Sequence, residues 1–94
     1  MSVIAVNPRF SPGRLMITRN AKDVLPRSEV DAAIARHLRG DWGDTCESDK
    51  QINDDALKNG GRLLSVYHTK DGVTFWIITE ADYSATTVLL PSDY

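Results

Sequence analysis

The sequence between residues 62 and 79 reads Arg62-Leu63-Leu64-Ser65-Val66-Tyr67-His68-Thr69-Lys70-Asp71-Gly72-Val73-Thr74-Phe75-Trp76-Ile77-Ile78-Thr79. Two apolar runs rich in β-branched and aromatic residues flank Asp71-Gly72, a dipeptide that favours the tight turn of a β-hairpin. The second run is almost continuously apolar, which is typical of a strand buried in the middle of a sheet. The stretch therefore predicts two antiparallel strands, the second of them central.

Two further strands complete the expected sheet. Ala85-Thr86-Thr87-Val88-Leu89-Leu90 follows a loop at residues 80–84 and is closed by Pro91. Short links join the last three strands, so we expect an antiparallel meander. Arg14-Leu15-Met16-Ile17-Thr18 predicts a short first strand that joins the sheet. Its position in the sheet stays open, with a place beside the last strand as one option.

The residues before the first strand read as a loop-like N-terminal arm, residues 1–13. Asn7-Pro8 and Ser11-Pro12-Gly13 are turn signals, and each proline removes a backbone donor. Within the arm, Val3, Ile4 and Val6 are compatible with a short edge strand. Ninety-four residues are enough for one modest core, so we expect a single domain over residues 1–94.

The clearest helix is predicted over residues 29–39. Ser28 is the expected N-cap and Gly40 the expected left-handed residue after the helix. Helical spacing places one stripe towards the core, formed by Val30, Ala33, Ile34, His37 and Leu38. A brief helical turn over residues 21–25, capped by Asn20 and ended by Pro26, precedes it.

A second helix is predicted from Ser48, because Ser48 and Gln51 form a capping box. It ends at Asn59-Gly60-Gly61, and its thin apolar stripe consists of Ile52, Ala56 and Leu57. The order β-α-α-β-β-β predicts a two-layer α+β domain, with two helices on one face of an antiparallel sheet of three to four strands. We expect a core of Ile34, Leu38, Val66, Phe75, Trp76, Ile77, Ile78, Val88 and Leu90.

Composition indicates a cytoplasmic domain. Hydrophobic residues make up 41% and charged residues 26%, as in ordinary globular domains. No apolar run approaches the roughly 20 residues of a membrane span. The single cysteine, Cys46, cannot form an internal disulfide, which fits a reducing compartment.

Charge is distributed unevenly along the chain. Residues 1–40 hold seven basic and three acidic residues, a net of +4, and residues 41–94 hold four basic and ten acidic residues, a net of −6. Acidic residues crowd between positions 41 and 55 with only Lys50 among them. Such a cluster creates a local negative field, which favours a basic partner and opposes direct nucleic-acid binding. The same acids have the charge needed to imitate phosphates.

Candidate catalytic and metal-binding groups are few. A nucleophile–base set of Cys46, His37 and Asp44 lacks a local signature, and Glu47 beside the thiol disfavours the thiolate. Glu80 and Asp82 flank a turn without the lysine or third carboxylate that a Mg²⁺ site uses. Paired Cys or His motifs and a Gly-rich phosphate loop are missing. We therefore expect no catalytic residue, metal or cofactor.

The chain resembles a group of small bacterial proteins carried on plasmids and other mobile elements. The matching segments are Arg36-His37-Leu38-Arg39-Gly40-Asp41-Trp42-Gly43, Asn53, residues 60–67, residues 76–82 and residues 84–94. Members often carry labels such as "plasmid-related protein" or "restriction endonuclease subunit M". The group usually has arginine and glutamate where this chain has Tyr83 and Asp93. The resemblance implies an accessory role in a mobile element and names no catalytic residue.

These observations favour a non-enzymatic protein that acts by protein–protein contact, for instance as an inhibitor of host defence by CRISPR or restriction. The candidate contact residues are Arg36, Arg39, Asp41, Trp42, Asp44, Glu47, Asp49, Asp54 and Asp55. Trp42 has two open interpretations, a core residue that pins the corner or an exposed anchor. A homodimer is also open. Alternatives for the function are a toxin-like ribonuclease with the β-α-α-β-β-β order and a DNA-binding plasmid regulator.

Overall fold

The computed structural model describes residues 7–94, so the edge strand considered at Val3, Ile4 and Val6 lies outside the described residues. The elements in chain order are β1 (Arg14–Ile17), α1 (Arg19–Val24), α2 (Arg27–Leu38), α3 (Glu47–Asn59), β2 (Leu63–His68), β3 (Thr74–Thr79), β4 (Ala85–Leu89) and a short 3₁₀ turn (Pro91–Asp93). The predicted α+β class and element order are confirmed.

The four strands form one sheet in the order β1-β4-β3-β2. The predicted antiparallel meander of β2, β3 and β4 is confirmed, and β1, whose position was left open, lies beside β4. The β1–β4 pair is parallel, however, so the sheet is mixed. The helices return the chain to the end of the sheet where β1 began, so β2 runs in the same direction as β1. Two hairpins later, β4 has that direction too.

One face of the sheet packs against the helices. On β2 and β3 this face consists of the register pairs Leu63–Thr79, Ser65–Ile77 and Tyr67–Phe75, and all six residues are buried. Of the predicted core residues, six are buried, namely Ile34, Leu38, Phe75, Ile77, Ile78 and Val88. Val66 and Trp76 are only half-buried, because they pair with each other on the opposite face of the sheet. Leu90, just past β4, is also half-buried.

The first two helices begin at other residues than predicted. The expected brief turn is a separate helix, α1, so three helices are present in the described chain. Its cap is Thr18, whose Oγ1 accepts from the Ala21 amide at 3.1 Å, and Asn20 donates instead to Asp93 at 2.8 Å. Helix α2 begins at Arg27 with Pro26 as its N-cap residue. The predicted Ser28 cap is therefore wrong, since the proline already closes α1 and sets the entry of α2.

The predicted buried stripe of α2 is confirmed at all five positions, and Gly40 has the expected left-handed conformation, φ +84°. The stripe predicted for α3 is confirmed at Ala56, which is buried, and at Leu57, which is half-buried against the core, and it is wrong at Ile52. Asn53 and Ala56 are the buried residues of α3, and Ile52 is 61% exposed. The predicted capping box is also wrong, since Cys46 is the N-cap and Gln51 donates to Asp55 at 3.4 Å. No helix within residues 7–94 is long and apolar enough to cross a bilayer.

Candidate functional site

The corner between α2 and α3 is held by Arg36 and Asp41. The guanidinium of Arg36 donates twice to this carboxylate, from Nε at 2.8 Å and from Nη2 at 3.2 Å. It also lies over the Tyr67 ring, 4.7 Å from the centroid, and the Tyr67 hydroxyl donates to the Asp41 carbonyl. The hydrogen bond from Arg36 lowers the pKa of Asp41 and the Arg36 pKa is raised in return. Both side chains are thereby committed to the corner.

Gly43 brings this corner against the open edge of β2. The Val66 amide donates to the Trp42 carbonyl at 3.1 Å, and the Asp44 amide donates to the Val66 carbonyl at 2.7 Å. Gly43 has φ +71°, and a Cβ at this position would lie 2.1 Å from the Val66 carbonyl oxygen. The close approach of the two backbones therefore requires glycine.

Trp42 is a core residue, only 4% exposed. Its ring lies 6.4 Å from Phe10 and 5.6 Å from His37, centroid to centroid. Its indole Nε1 donates to Asp54 at 3.0 Å, which satisfies the buried ring nitrogen and ties the corner to α3. The structure thus resolves the choice for Trp42: it pins the corner and is withdrawn from the candidate contact surface.

Asn53 fixes the rotation of α3 about its axis. Its side chain donates to the Leu64 carbonyl at 2.7 Å and accepts from the Leu64 amide at 3.1 Å. This pair of bonds satisfies the outward backbone groups of Leu64, two residues before Val66 on the β2 edge. Because Asn53 faces the sheet, the neighbouring residue Ile52 faces away from it.

The outward face of α3 combines one apolar side chain with carboxylates. Ile52 is 61% exposed, and Asp49 and Asp55, three positions before and after it, are exposed as well. Glu47 is exposed at the helix start, 3.9 Å from Lys50. An exposed β-branched residue does not favour the helix by itself, and most of the Ile52 surface is open to solvent. The arrangement is that of an apolar anchor with an acidic rim.

The predicted contact residues therefore separate into two groups. Arg36, Asp41, Trp42 and Asp54 are engaged in holding the corner together. Arg39 is exposed close to the Asp41 carboxylate, whose pKa it helps to lower. The remaining acids are exposed, namely Asp44, Glu47, Asp49 and Asp55. Ile52 was missed as a contact residue because the apolar pattern assigned it to the buried stripe. The polar residue Asn53 next to it is buried instead, which rotates α3 about its axis relative to the predicted orientation.

A buried hydrogen-bond chain lies beneath the corner. His37, fully buried, contacts Ser65 Oγ through Nδ1 at 2.6 Å and Thr79 Oγ1 through Nε2 at 2.9 Å. Thr79 contacts Thr86 at 2.7 Å, and Thr86 donates to the Pro12 carbonyl at 2.8 Å.

The end of this chain determines the tautomer of His37. A carbonyl only accepts, so Thr86 uses its one proton on Pro12 and must accept from Thr79. Thr79 must then accept from Nε2–H of His37, and Ser65 donates to the unprotonated Nδ1. The neutral ring is fully satisfied, and burial lowers the pKa of His37 to about 4.

The candidate catalytic set is not assembled. The ring nitrogens of His37 contact Ser65 and Thr79, Cys46 Sγ lies 3.2 Å from Ser48 Oγ, and Asp44 pairs with His68 at 2.9 Å. Glu80 lies 3.7 Å from Arg62, and Asp82 accepts from the Ser84 amide. Within residues 7–94, no group of three or more His, Cys, Asp or Glu side chains is placed to hold a metal ion.

Comparison with protein-family models, with curated proteins and with solved structures finds no match to this chain.

Proposed function

We propose that this protein is a small non-enzymatic accessory protein of a mobile element that acts by protein–protein contact through the outward face of α3. Ile52 is the apolar anchor, Asp49 and Asp55 flank it as an acidic rim, and the exposed acids Asp44 and Glu47 precede them just before and at the start of α3. The partner presents a basic surface with an apolar pocket, as in the nucleic-acid groove of a host defence complex of the CRISPR or restriction type.

The exposure of Ile52 is the observation that carries this proposal. A large apolar side chain at the centre of a charged helix face has the character of a binding hot spot, in which one desolvated anchor contributes most of the affinity. The carboxylates around it would add long-range attraction and specificity more than affinity. The charge of these acids also suits imitation of nucleic-acid phosphates, and the resemblance to mobile-element proteins makes defence complexes the first partners to test.

The α3 face is held rigidly, which favours a role in binding. Asn53 anchors the helix to β2 and Asp54 anchors it to Trp42, so the outward face is presented in one orientation. A preformed surface avoids the conformational entropy cost of ordering on binding. The alternatives, a ribonuclease and a DNA-binding regulator, need a basic face that binds phosphates. The outward face of α3, which Asn53 and Asp54 hold in place, is acidic.

The test compares Ile52→Ala with Val24→Ala. Both replace an exposed β-branched helix residue, 61% and 51% exposed respectively, and neither change should alter stability by more than about 0.5 kcal/mol. Tagged wild-type protein expressed in a defence-carrying host should capture a defence component and weaken immunity against phage or plasmid. Ile52→Ala should weaken that binding by about 30-fold, the loss of a 2 kcal/mol hot spot.

Val24→Ala should behave as wild type, because α1 lies away from the proposed contact. The proposal fails if wild-type protein recovers no defence component and leaves immunity unchanged. It also fails if Ile52→Ala binds as tightly as wild type. Growth arrest with RNA cleavage on overexpression would support the ribonuclease instead, and a salt-dependent gel shift would support the DNA-binding regulator.

A further inference from the structure

The two edges of the sheet differ in whether the outward backbone groups of the edge strand already have hydrogen-bond partners. At the β2 edge, the outward backbone groups of Leu64 are bonded to Asn53, and those of Val66 are bonded to Trp42 and Asp44. This edge is therefore closed to any further strand. At the other edge lies β1, and no described strand lies on its outer side.

The outer side of β1 offers backbone hydrogen-bonding groups. The amides of Arg14 and Thr18 point towards β4, where they donate to Ser84 and Val88 at 3.0 Å each. Because successive residues of a strand alternate, the amides and carbonyls of Leu15 and Ile17 point away from β4. The apolar side chains of β1 are also unusually open, with Leu15 46%, Met16 47% and Ile17 39% exposed.

A groove of ≈ 640 Å³ runs beside β1, between the strand and the first two helices. Its lining is mostly apolar and includes Leu15, Ile17, Leu25, Val30, Ile34 and Val88. Side chains of an added strand that point to the helix side of the sheet would enter this groove. It provides pockets for alternate residues, which is the source of specificity when a strand is added to a sheet.

Exposed basic side chains lie at both ends of β1. Within residues 7–94, Arg14, Arg19 and Lys22 are exposed and no carboxylate lies within ion-pair distance of them. Lys22 is part of the lining, and a fourth cation there, Arg27, lies 3.6 Å from Asp31. Asp31 also lines the groove, and Asp23 is the one acid of α1. The β1 edge is therefore basic, in contrast with the acidic α3 face beside the opposite edge.

We propose that the β1 edge binds an extended apolar segment of a partner protein that is flanked by acidic residues. The segment adds as a fifth strand: its backbone bonds to Leu15 and Ile17, and those of its apolar side chains that face the helices enter the groove. Its flanking carboxylates meet Arg14 at one end of β1, and Arg19 and Lys22 at the other. A second copy of this chain is a poorer occupant, because two-fold pairing of β1 with itself would bring the same cations together. This surface is additional to the α3 face and independent of it.

The experiment uses the full chain and two synthetic peptides of seven residues with a valine core, one with glutamates and the other with lysines at both ends. The glutamate peptide should saturably shift the NMR amide signals of β1 and protect the Leu15 and Ile17 amides from hydrogen exchange. The lysine peptide should bind at least about tenfold more weakly, because the sign of several partly exposed charge pairs is reversed. The α3 signals should not move.

Lys22→Glu should weaken binding of the glutamate peptide by roughly threefold to tenfold, whereas Lys58→Glu on α3 should leave it unchanged. Equal binding of both peptides, binding of neither, or shifts confined to α3 would overturn the proposal. Binding that appears only after deletion of residues 1–6 would overturn it in favour of the chain's own N-terminal segment as occupant. Concentration-dependent sedimentation with β1 protection in the absence of peptide would overturn it in favour of a second copy.

Discussion

Gly43→Ala is expected to lower the free energy of unfolding by about 3 kcal/mol or more, a large share of the roughly 5–14 kcal/mol available to a domain of this size. A Cβ at position 43 would lie 2.1 Å from the Val66 carbonyl oxygen and 2.8 Å from the Tyr67 ring. The carbonyl belongs to β2 and cannot rotate away as a flexible side chain would. The corner must therefore move away from β2, which breaks the backbone hydrogen bonds that join Val66 to Trp42 and Asp44.

Gly72→Ala is the matched control, measured by urea unfolding under the same conditions. Gly72 also has a positive φ, +86°, but a Cβ there would meet nothing within 4 Å. Only the left-handed backbone penalty of about 1 kcal/mol should remain. Equal losses for the two variants would mean that the contact between Gly43 and Val66 does not hold the corner.

Lowering the pH from 7 to 5 is expected to reduce the free energy of unfolding by about 2 kcal/mol, and by about 3 kcal/mol at pH 4, through His37 alone. Burial lowers the pKa of His37 from 6.5 to about 4. Between these two values the unfolded chain binds a proton that the folded protein does not. Stability is therefore complete above pH 6.5 and is lost as the pH falls towards 4. Protonation would also deprive Ser65 of its acceptor at Nδ1.

The chain has only two histidines, so the assignment can be made with two variants. His68→Asn should keep the loss of stability between pH 7 and 5, and His37→Gln should abolish it while being less stable at pH 7. The carboxyl pKa values of Asp41 and Asp93 are lowered by hydrogen bonds, so these groups act at still lower pH, below about 4. A flat profile in His68→Asn between pH 7 and 5 would exclude a buried neutral His37.

The sheet was largely predictable from sequence because its signals are local. Asp71-Gly72 between two β-prone runs identifies the hairpin, and the α2 stripe follows from spacing alone. The direction of β1 was not predictable, because strand orientation depends on where the helices return the chain. Helix starts were misplaced where two signals compete: Pro26 overrode Ser28, and Thr18 overrode Asn20.

The candidate site was only partly predictable. The acidic cluster and the glycine-flanked corner are visible in the sequence, but the burial of Trp42 depends on Phe10, His37 and Asp54, which are distant along the chain. The outward position of Ile52 depends on the two hydrogen bonds between the Asn53 side chain and the backbone of Leu64 on β2. The Asn53 side chain bonds the outward amide and carbonyl of Leu64, as the backbone of an adjacent strand would. A pattern of apolar residues does not detect such a buried asparagine, so it assigned Ile52 to the core.

A photo-crosslink from position 52 is the most direct test of contact through α3. A photoreactive residue is placed there, and for comparison at Asp71 in the hairpin turn, which is also exposed. In a defence-carrying host, position 52 should form an adduct with a component of the defence complex, and position 71 should form none. Folded protein that gives no adduct from position 52, or the same adduct from both positions, would contradict a partner bound at α3.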